Sequence, residues 1–311
     1  MFESRGTEAG DDRRCAGLLR GARVTGAREV HVDAGDGTRF GVLVAEPAAP
    51  ATAGLLFVPA MGVTARHYGE FARALAAQGV LVAVHELRGG GSSSVRASRR
   101  SDWGYAELLD RDLPASLAAL RREFPSVAWF AGGHSLGAQL AALHAARCPA
   151  ELRGMVIVAS GSPYWRAFPH WQRPLVRLVF AWFRGLSALL GYFPGRRVGF
   201  AGTEARSVIR DWTRSGQHGN YRPDRVAADL EAALAAFPGL VFALRNAHDR
   251  FVPRASLDWL LGKLGAARVT RLELATSDYG SGRADHFSWM KDPGPVAERL
   301  AAWIAEGNER P

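Results

Sequence analysis

Residues 133–137 read Gly-His-Ser-Leu-Gly. The preceding segment, Val127-Ala128-Trp129-Phe130-Ala131, is apolar and strand-like, and the following one, Leu136 to His144, is rich in alanine and leucine and helix-like. A serine with glycines two residues to either side therefore sits on a strand-to-helix turn. Such a turn strains the backbone at its centre, and glycines on both sides let strand and helix approach closely. The hydroxyl of Ser135 then projects from the end of a sheet, beside the unpaired first N–H groups of a new helix. A glycine-rich turn with a helix-capping serine would have the same local look, so the reading as a nucleophile depends on partners elsewhere in the chain.

A serine hydroxyl is a weak nucleophile and needs a base, which in turn needs an orienting acid. With this turn the expected chain order is serine, acid, histidine. Asp249 follows the apolar run Leu240 to Leu244 and precedes Val252-Pro253, where an acid would leave the carboxyl end of a strand. His286, in Ala284-Asp285-His286-Phe287, lies before the last helical segment and is the only histidine after His248. The other histidines fit less well. His134 adjoins the serine and its side chain should point elsewhere, His144 is two turns into the helix, and His67, His85, His170 and His218 precede Asp249. A developing oxyanion needs two backbone N–H groups. Leu136 supplies one, and Met61, in the loop Pro59-Ala60-Met61-Gly62-Val63, supplies the other, with Ala60 as the alternative.

The chain has 311 residues, 48% of them hydrophobic, enough for one large domain with an insertion. Two cysteines, Cys15 and Cys148, do not make a disulfide framework, and a reducing compartment, hence a cytoplasmic location, is expected. The formal charge of +9 comes from scattered arginines, the only lysines being Lys263 and Lys291, and this pattern argues against nucleic-acid binding. No His/Cys cluster, carboxylate pair or phosphate-loop spacing appears, so neither metal nor cofactor is expected. Residues 1–27 lack an apolar core of the signal-peptide type and read as a disordered extension.

Val30 and Val32, the turn Asp36-Gly37 and the run Arg39 to Val44 read as a hairpin. The stretches at 54–58, 80–84, 154–158 and 240–244 are continuous apolar runs of the buried-strand type, and helical patterns alternate with them. Gly89-Gly90-Gly91 opens what looks like a flexible loop, and Leu108 to Arg122 looks like one helix with a proline, Pro114, inside it. The expected class is α/β: a mostly parallel eight-stranded sheet with helices on both faces. Residues 28–159 and 226–311 form that core. Residues 160–225, rich in aromatics, are too long for a simple connection and read as an inserted helical cap. Tyr164, Trp165 and Trp182 are the residues there assigned to a substrate pocket. Pro174 to Phe193 resembles a membrane span, but Arg177 and Arg184 on one face favour an amphipathic lid helix whose arginines form its polar face, and leave peripheral membrane contact through the cap open.

At this point a resemblance is plain. The motifs Pro-Ala-Met-Gly-Val (59–63), Glu-Leu-Arg-Gly-Gly-Gly-Ser (86–92), Gly-His-Ser-Leu-Gly-Ala-Gln (133–139), Gly-Tyr-Phe-Pro-Gly-Arg-Arg (191–197), His-Asp-Arg-Phe-Val-Pro (248–253) and Asp-His-Phe (285–287) resemble the α/β-hydrolase superfamily. Within it they are similar to bacterial predicted hydrolases close to the serine aminopeptidase and monoacylglycerol lipase-like enzymes. The resemblance spans roughly residues 30–305 and implies Ser135, Asp249 and His286 as a triad. Two positions depart from the superfamily pattern: Glu86 stands where Asp is usual, in a loop-bracing role, and Asp285 where Gly commonly precedes the histidine. The expectation is a serine hydrolase acting through an acyl-enzyme on a small ester or lipid-like substrate with an apolar acyl or alkyl group. Acyl transfer or peptide and amide cleavage would use the same triad, and a catalytically silent fold used for binding is the alternative from another class.

Overall fold

The computed structural model describes residues 27–308 of the chain. Cys15 and nearly all of the expected N-terminal extension lie outside them. Its last residue, Ala27, begins the first strand instead.

Eight strands form one sheet: β1 (Ala27–Asp33), β2 (Arg39–Ala45), β3 (Ala53–Val58), β4 (Leu81–His85), β5 (Ala128–His134), β6 (Gly154–Val158), and, after a long excursion that contains a separate two-stranded ribbon, β9 (Leu240–Asn246) and β10 (Arg268–Leu274). The order is β1-β2-β4-β3-β5-β6-β9-β10. Only β2 runs against its neighbours; β4, β3, β5, β6, β9 and β10 are parallel. The apolar runs become β3, β4 and β6, buried along their whole length, and β9, nearly so, whereas the edge strands β1 and β10 alternate towards solvent.

Helices α1 (Gly69–Ala76) and α8 (Gly294–Asn308) cover one face, where Phe71, Trp289 and Trp303 pack on Leu55, Phe57 and Phe242. Helices α2 (Leu113–Glu123), α3 (Leu136–Arg147) and α7 (Arg254–Leu261) cover the other. The turns leading into α2 depart from the single helix expected. Leu108–Asp112 is a π-turn, and Pro114 follows in the first turn of α2. Proline has no N–H to give the carbonyl four residues back, so the helix widens just before it.

The loop after β4 is not loose either. The buried Arg88 guanidinium binds Asp112 and also reaches Asp36 and Thr38, at 2.6–3.0 Å. A Cβ on Gly91 would lie 1.9 Å from the Glu86 carboxylate. The glycines there admit a buried acid rather than provide flexibility.

Between β6 and β9 the chain builds α4 (Arg173–Leu190), the ribbon β7 (Tyr192–Pro194) and β8 (Thr203–Ala205), α5 (Arg206–His218) and α6 (Leu230–Ala236). The ribbon is an addition to the all-helical cap read from the sequence. Phe180, Phe183, Phe193, Phe200 and Trp212 pack together between α4, the ribbon and α5, with ring centroids 4.5–6.4 Å apart. The segment rests on loops leaving the carboxyl ends of β3 and β4: a Cβ on Gly62 would lie 2.1 Å from Gly202 N, and Ser207 bonds to Asp102 at 2.7 Å.

Candidate active site

β5 delivers Ser135 into a backbone conformation that side chains avoid, φ 54° and ψ −122°. Strain of this kind costs about 1–3 kcal/mol and persists only where surroundings enforce it. Here they do so by close packing. A Cβ on Gly137 would lie 2.1 Å from the Val58 carbonyl oxygen and 2.3 Å from that of Pro59, and one on Gly133 would lie 2.5 Å from Val58 O. The Ser160 hydroxyl donates to Ser135 O at 2.6 Å and fixes the turn from the side of β6.

The loops after β9 and β10 bring Asp249 and His286 together. His286 Nδ1 lies 2.8 Å from Asp249 Oδ2, and both residues are buried. The other carboxylate oxygen of Asp249 accepts the N–H groups of Phe251 (2.9 Å) and Val252 (3.0 Å), which holds the acid's orientation. The unusual Asp285 shapes the histidine loop. Its Oδ1 accepts N–H groups from Phe287 and Ser288 at 3.0 and 2.8 Å, and its carbonyl accepts Asn246 Nδ2 at 2.8 Å. A capped turn thus takes the place of the glycine's freedom. Among the described residues, the half-buried Ser135 hydroxyl makes no hydrogen bond with His286. Serine–histidine contacts of this type are often long before substrate binds.

His134 lies beside His286, with ring centroids 4.7 Å apart, and does not point away from the site. It is fully buried, and burial followed by the neighbouring His286 holds it well below the ordinary histidine range, so it stays neutral. Its Nδ1 is 2.9 Å from Tyr68 Oη, which also accepts the Ala60 N–H at 2.9 Å. That bond engages the Ala60 amide, and among the described residues the amide of Met61 has no partner. The Tyr68–His134 link joins positions 66 residues apart, and no local pattern signals it. Phe251 and Phe287, both largely exposed, stand 5.0 and 4.7 Å from the His286 ring and give the site an aromatic rim.

The three cap residues assigned to a pocket take different places. Tyr164 is buried against Trp259, with centroids 4.5 Å apart. Trp165 lies beneath the guanidinium groups of Arg166 and Arg177, each 5.0 Å from its ring. Trp182 faces outward and is 48% exposed. Arg177 is exposed and stacks on Trp165, while the half-buried Arg184 bonds Gln217.

Glu86 braces the start of the loop after β4 by accepting the Ala65 N–H, 3.3 Å from each carboxylate oxygen. Burial pushes its carboxyl up to about 7 from an ordinary 4.5. The folded protein therefore keeps a proton on Glu86 that the unfolded chain sheds above pH 4.5. Stability supplied by this group is complete below about 4.5 and is lost as pH rises through 7, by about 3 kcal/mol at most. In Glu86→Gln, the fall in thermal midpoint between pH 5 and pH 8 should shrink. An unchanged fall would assign it to other groups.

The family described as serine aminopeptidase, S33, matches residues 49–216, more than half of the chain. The chain belongs to this family of α/β-hydrolases. Human monoglyceride lipase is 31% identical over 106 residues, 34% of this chain and 34% of the lipase. That match spans about a third of the relative's length. The hydrolase fold is shared with a membrane phospholipase A described as a bacterial virulence factor (TM-score 0.60, 18% identity, 96% of this chain and 93% of the other). It is shared also with an esterase domain from Rhodothermus marinus (0.59, 18%, 90% and 98%) and an esterase of Pyrococcus furiosus (0.56, 13%, 90% and 92%). Among the described residues, no helix of the chain is long and apolar enough to cross a membrane.

Proposed function

We propose that the chain is a serine hydrolase cleaving carboxylic esters with an apolar acyl or alkyl group. Ser135 attacks the ester carbonyl while His286 Nε2 takes its proton. Asp249 orients the imidazolium through Nδ1, and the Leu136 and Met61 amides hold the oxyanion. His286 then returns the proton to the leaving alcohol, and water releases the acyl group by the same steps. The observation that carries this reading is the 2.8 Å His286–Asp249 pair in loops leaving the same sheet edge as the strained Ser135 turn.

Peptide substrates are the rival reading, given the family's description. An aminopeptidase needs an anion for the substrate's terminal ammonium, and the two carboxylates in the loops around His286 are already engaged. Asp249 holds His286 and two amides, and Asp285 holds Arg283 and its own turn. Phe251 and Phe287 at the rim favour an apolar group instead. With p-nitrophenyl esters, kcat/KM should rise roughly fourfold per added methylene until the pocket fills. A fluorophosphonate probe should label Ser135. Faster cleavage of aminoacyl p-nitroanilides than of any ester, or labelling at another residue, would overturn the proposal.

The same proposal has the hydrolase meeting its substrate at a lipid surface. Trp171, Leu175, Leu178, Trp182 and Leu189 are 77, 58, 66, 48 and 74% exposed, and their spacing aligns them along one face of α4 and the turn before it. The double variant Leu178→Ser/Trp182→Ser should bind phosphatidylcholine vesicles at least about tenfold more weakly while hydrolysing short soluble esters at the parent rate. Unchanged vesicle binding would remove this part of the reading.

A further inference from the structure

The proposed ester chemistry makes no use of the segment Gly191 to Arg197. It leaves α4 through Gly191 (φ 81°), forms β7 and then makes a single helical turn, Gly195–Val198, that displays Arg196 and Arg197. The backbone of this turn is fixed. Arg196 N donates to Gly202 O at 3.1 Å and Phe200 N to Gly195 O at 3.0 Å, and a Cβ on Gly195 would lie 2.0 Å from Phe200 O.

Beside it is a cavity of about 410 Å³. Tyr192, Pro194 and Thr203 of the ribbon form one wall, and Ala97 and Ser98 of the loop after β4 form the other. Arg196 and Arg197 line it as well. The loop wall is braced against the end of α4, since Arg99 Nη2 and Nε donate to the carbonyls of Leu189 and Leu190 at 3.2 and 3.4 Å. Among the described residues, neither Arg196 nor Arg197 has an acidic partner within ion-pair distance, although Arg88, Arg206, Arg210, Arg214, Arg225 and Arg245 do. Two adjacent guanidinium groups without an ion pair, of which Arg196 also acts on the Glu204 carboxylate from beyond that distance, line a cavity with hydroxyl-bearing walls and suit an anion with several oxygen acceptors. The volume is that of a small-molecule site. Leu189, the last residue of the exposed apolar stripe on α4, adjoins this wall, so an anion held here would sit where that stripe ends.

We propose that this cavity binds a phosphate group, carried either by a lipid headgroup or by a soluble phosphate monoester. The site is independent of the ester reaction at Ser135.

The test compares Arg196→Gln/Arg197→Gln with Arg122→Gln/Arg299→Gln, which removes the same charge from two exposed positions on α2 and α8. Each full-length protein is titrated with phosphatidylcholine vesicles, with vesicles also containing phosphatidylglycerol, and with glycerol phosphate in calorimetry. The parent should prefer phosphatidylglycerol vesicles. The Arg196/Arg197 variant should lose roughly twentyfold of that preference and keep its binding to pure phosphatidylcholine, while the control stays near the parent. Glycerol phosphate binding that disappears in the same variant identifies a soluble source. Its absence, with the vesicle preference intact in the parent, identifies the lipid headgroup. Equal losses in the two variants, or no preference and no glycerol phosphate binding in the parent, would overturn the proposal. Failure of the lipid-docking reading shows separately, as unchanged phosphatidylcholine binding in Leu178→Ser/Trp182→Ser.

Discussion

Ser135→Ala is expected to lower ester turnover by about 10⁴- to 10⁶-fold and to abolish fluorophosphonate labelling, with the thermal midpoint nearly unchanged. The side chain loses one half-buried hydroxyl, and the strained backbone is held by packing that alanine leaves in place. Stability should therefore move by only about 1 kcal/mol. The stronger form of the expectation concerns pairs. Residues of a triad act as a unit, so Ser135→Ala/His286→Ala should be no slower than either single variant. Multiplicative losses in the double variant, or near-parent turnover in Ser135→Ala, would show that the hydroxyl is not the nucleophile.

Gly137→Ala should have the largest effect on the fold itself. The added methyl would lie 2.1 Å from Val58 O and 2.3 Å from Pro59 O, both backbone atoms that no rotamer change can move aside. Either α3 shifts away from β3 or the turn opens. Both would separate the Leu136 amide from the loop carrying the Met61 amide. A loss of about 4 kcal/mol or more is expected, seen as a drop in thermal midpoint of roughly 10 °C together with loss of activity. The informative comparison is Gly185→Ala on α4, where a methyl meets nothing within 4 Å; helix propensity makes it neutral or mildly stabilising. A Gly137→Ala protein as stable as the parent would refute the close packing around the turn.

The features legible in the sequence are those encoded by neighbours along the chain. Continuous apolar runs marked β3, β4, β6 and β9, and the two glycines around Ser135 marked the turn. The pairing of His286 with Asp249 followed from chain order, since a parallel sheet delivers successive loops to one edge. What stayed hidden depends on contacts between distant segments. Nothing near Tyr68 signals that its hydroxyl bridges Ala60 and His134. The strands Tyr192–Pro194 and Thr203–Ala205 are three residues each, too short to show alternation. On α4, the seven-residue spacing of Arg177 and Arg184 suggested a polar outer face. Both side chains find partners on the segment itself, Trp165 and Gln217, and the exposed Arg177 shares the surface of the helix with the exposed apolar Leu175, Leu178, Trp182 and Leu189.

The meeting of Gly62 with Ala201 and Gly202 bears on how such a protein can diversify. Gly62 (φ 75°) follows Met61 directly, and Ala201, itself at φ 58°, presses its backbone on it with no side chain between. The inserted segment is thus a buttress for the loop that carries the Met61 amide. A chimera that exchanges residues 160–225 for a foreign insertion would also remove the support beneath the Met61 loop, the proposed source of one oxyanion donor. Grafts that keep the 199–205 bend should retain turnover on small esters, while grafts that discard it should fail even on substrates too short to reach the new segment. The unit free to vary by recombination is then the outer helix pair, and the ribbon belongs functionally to the sheet.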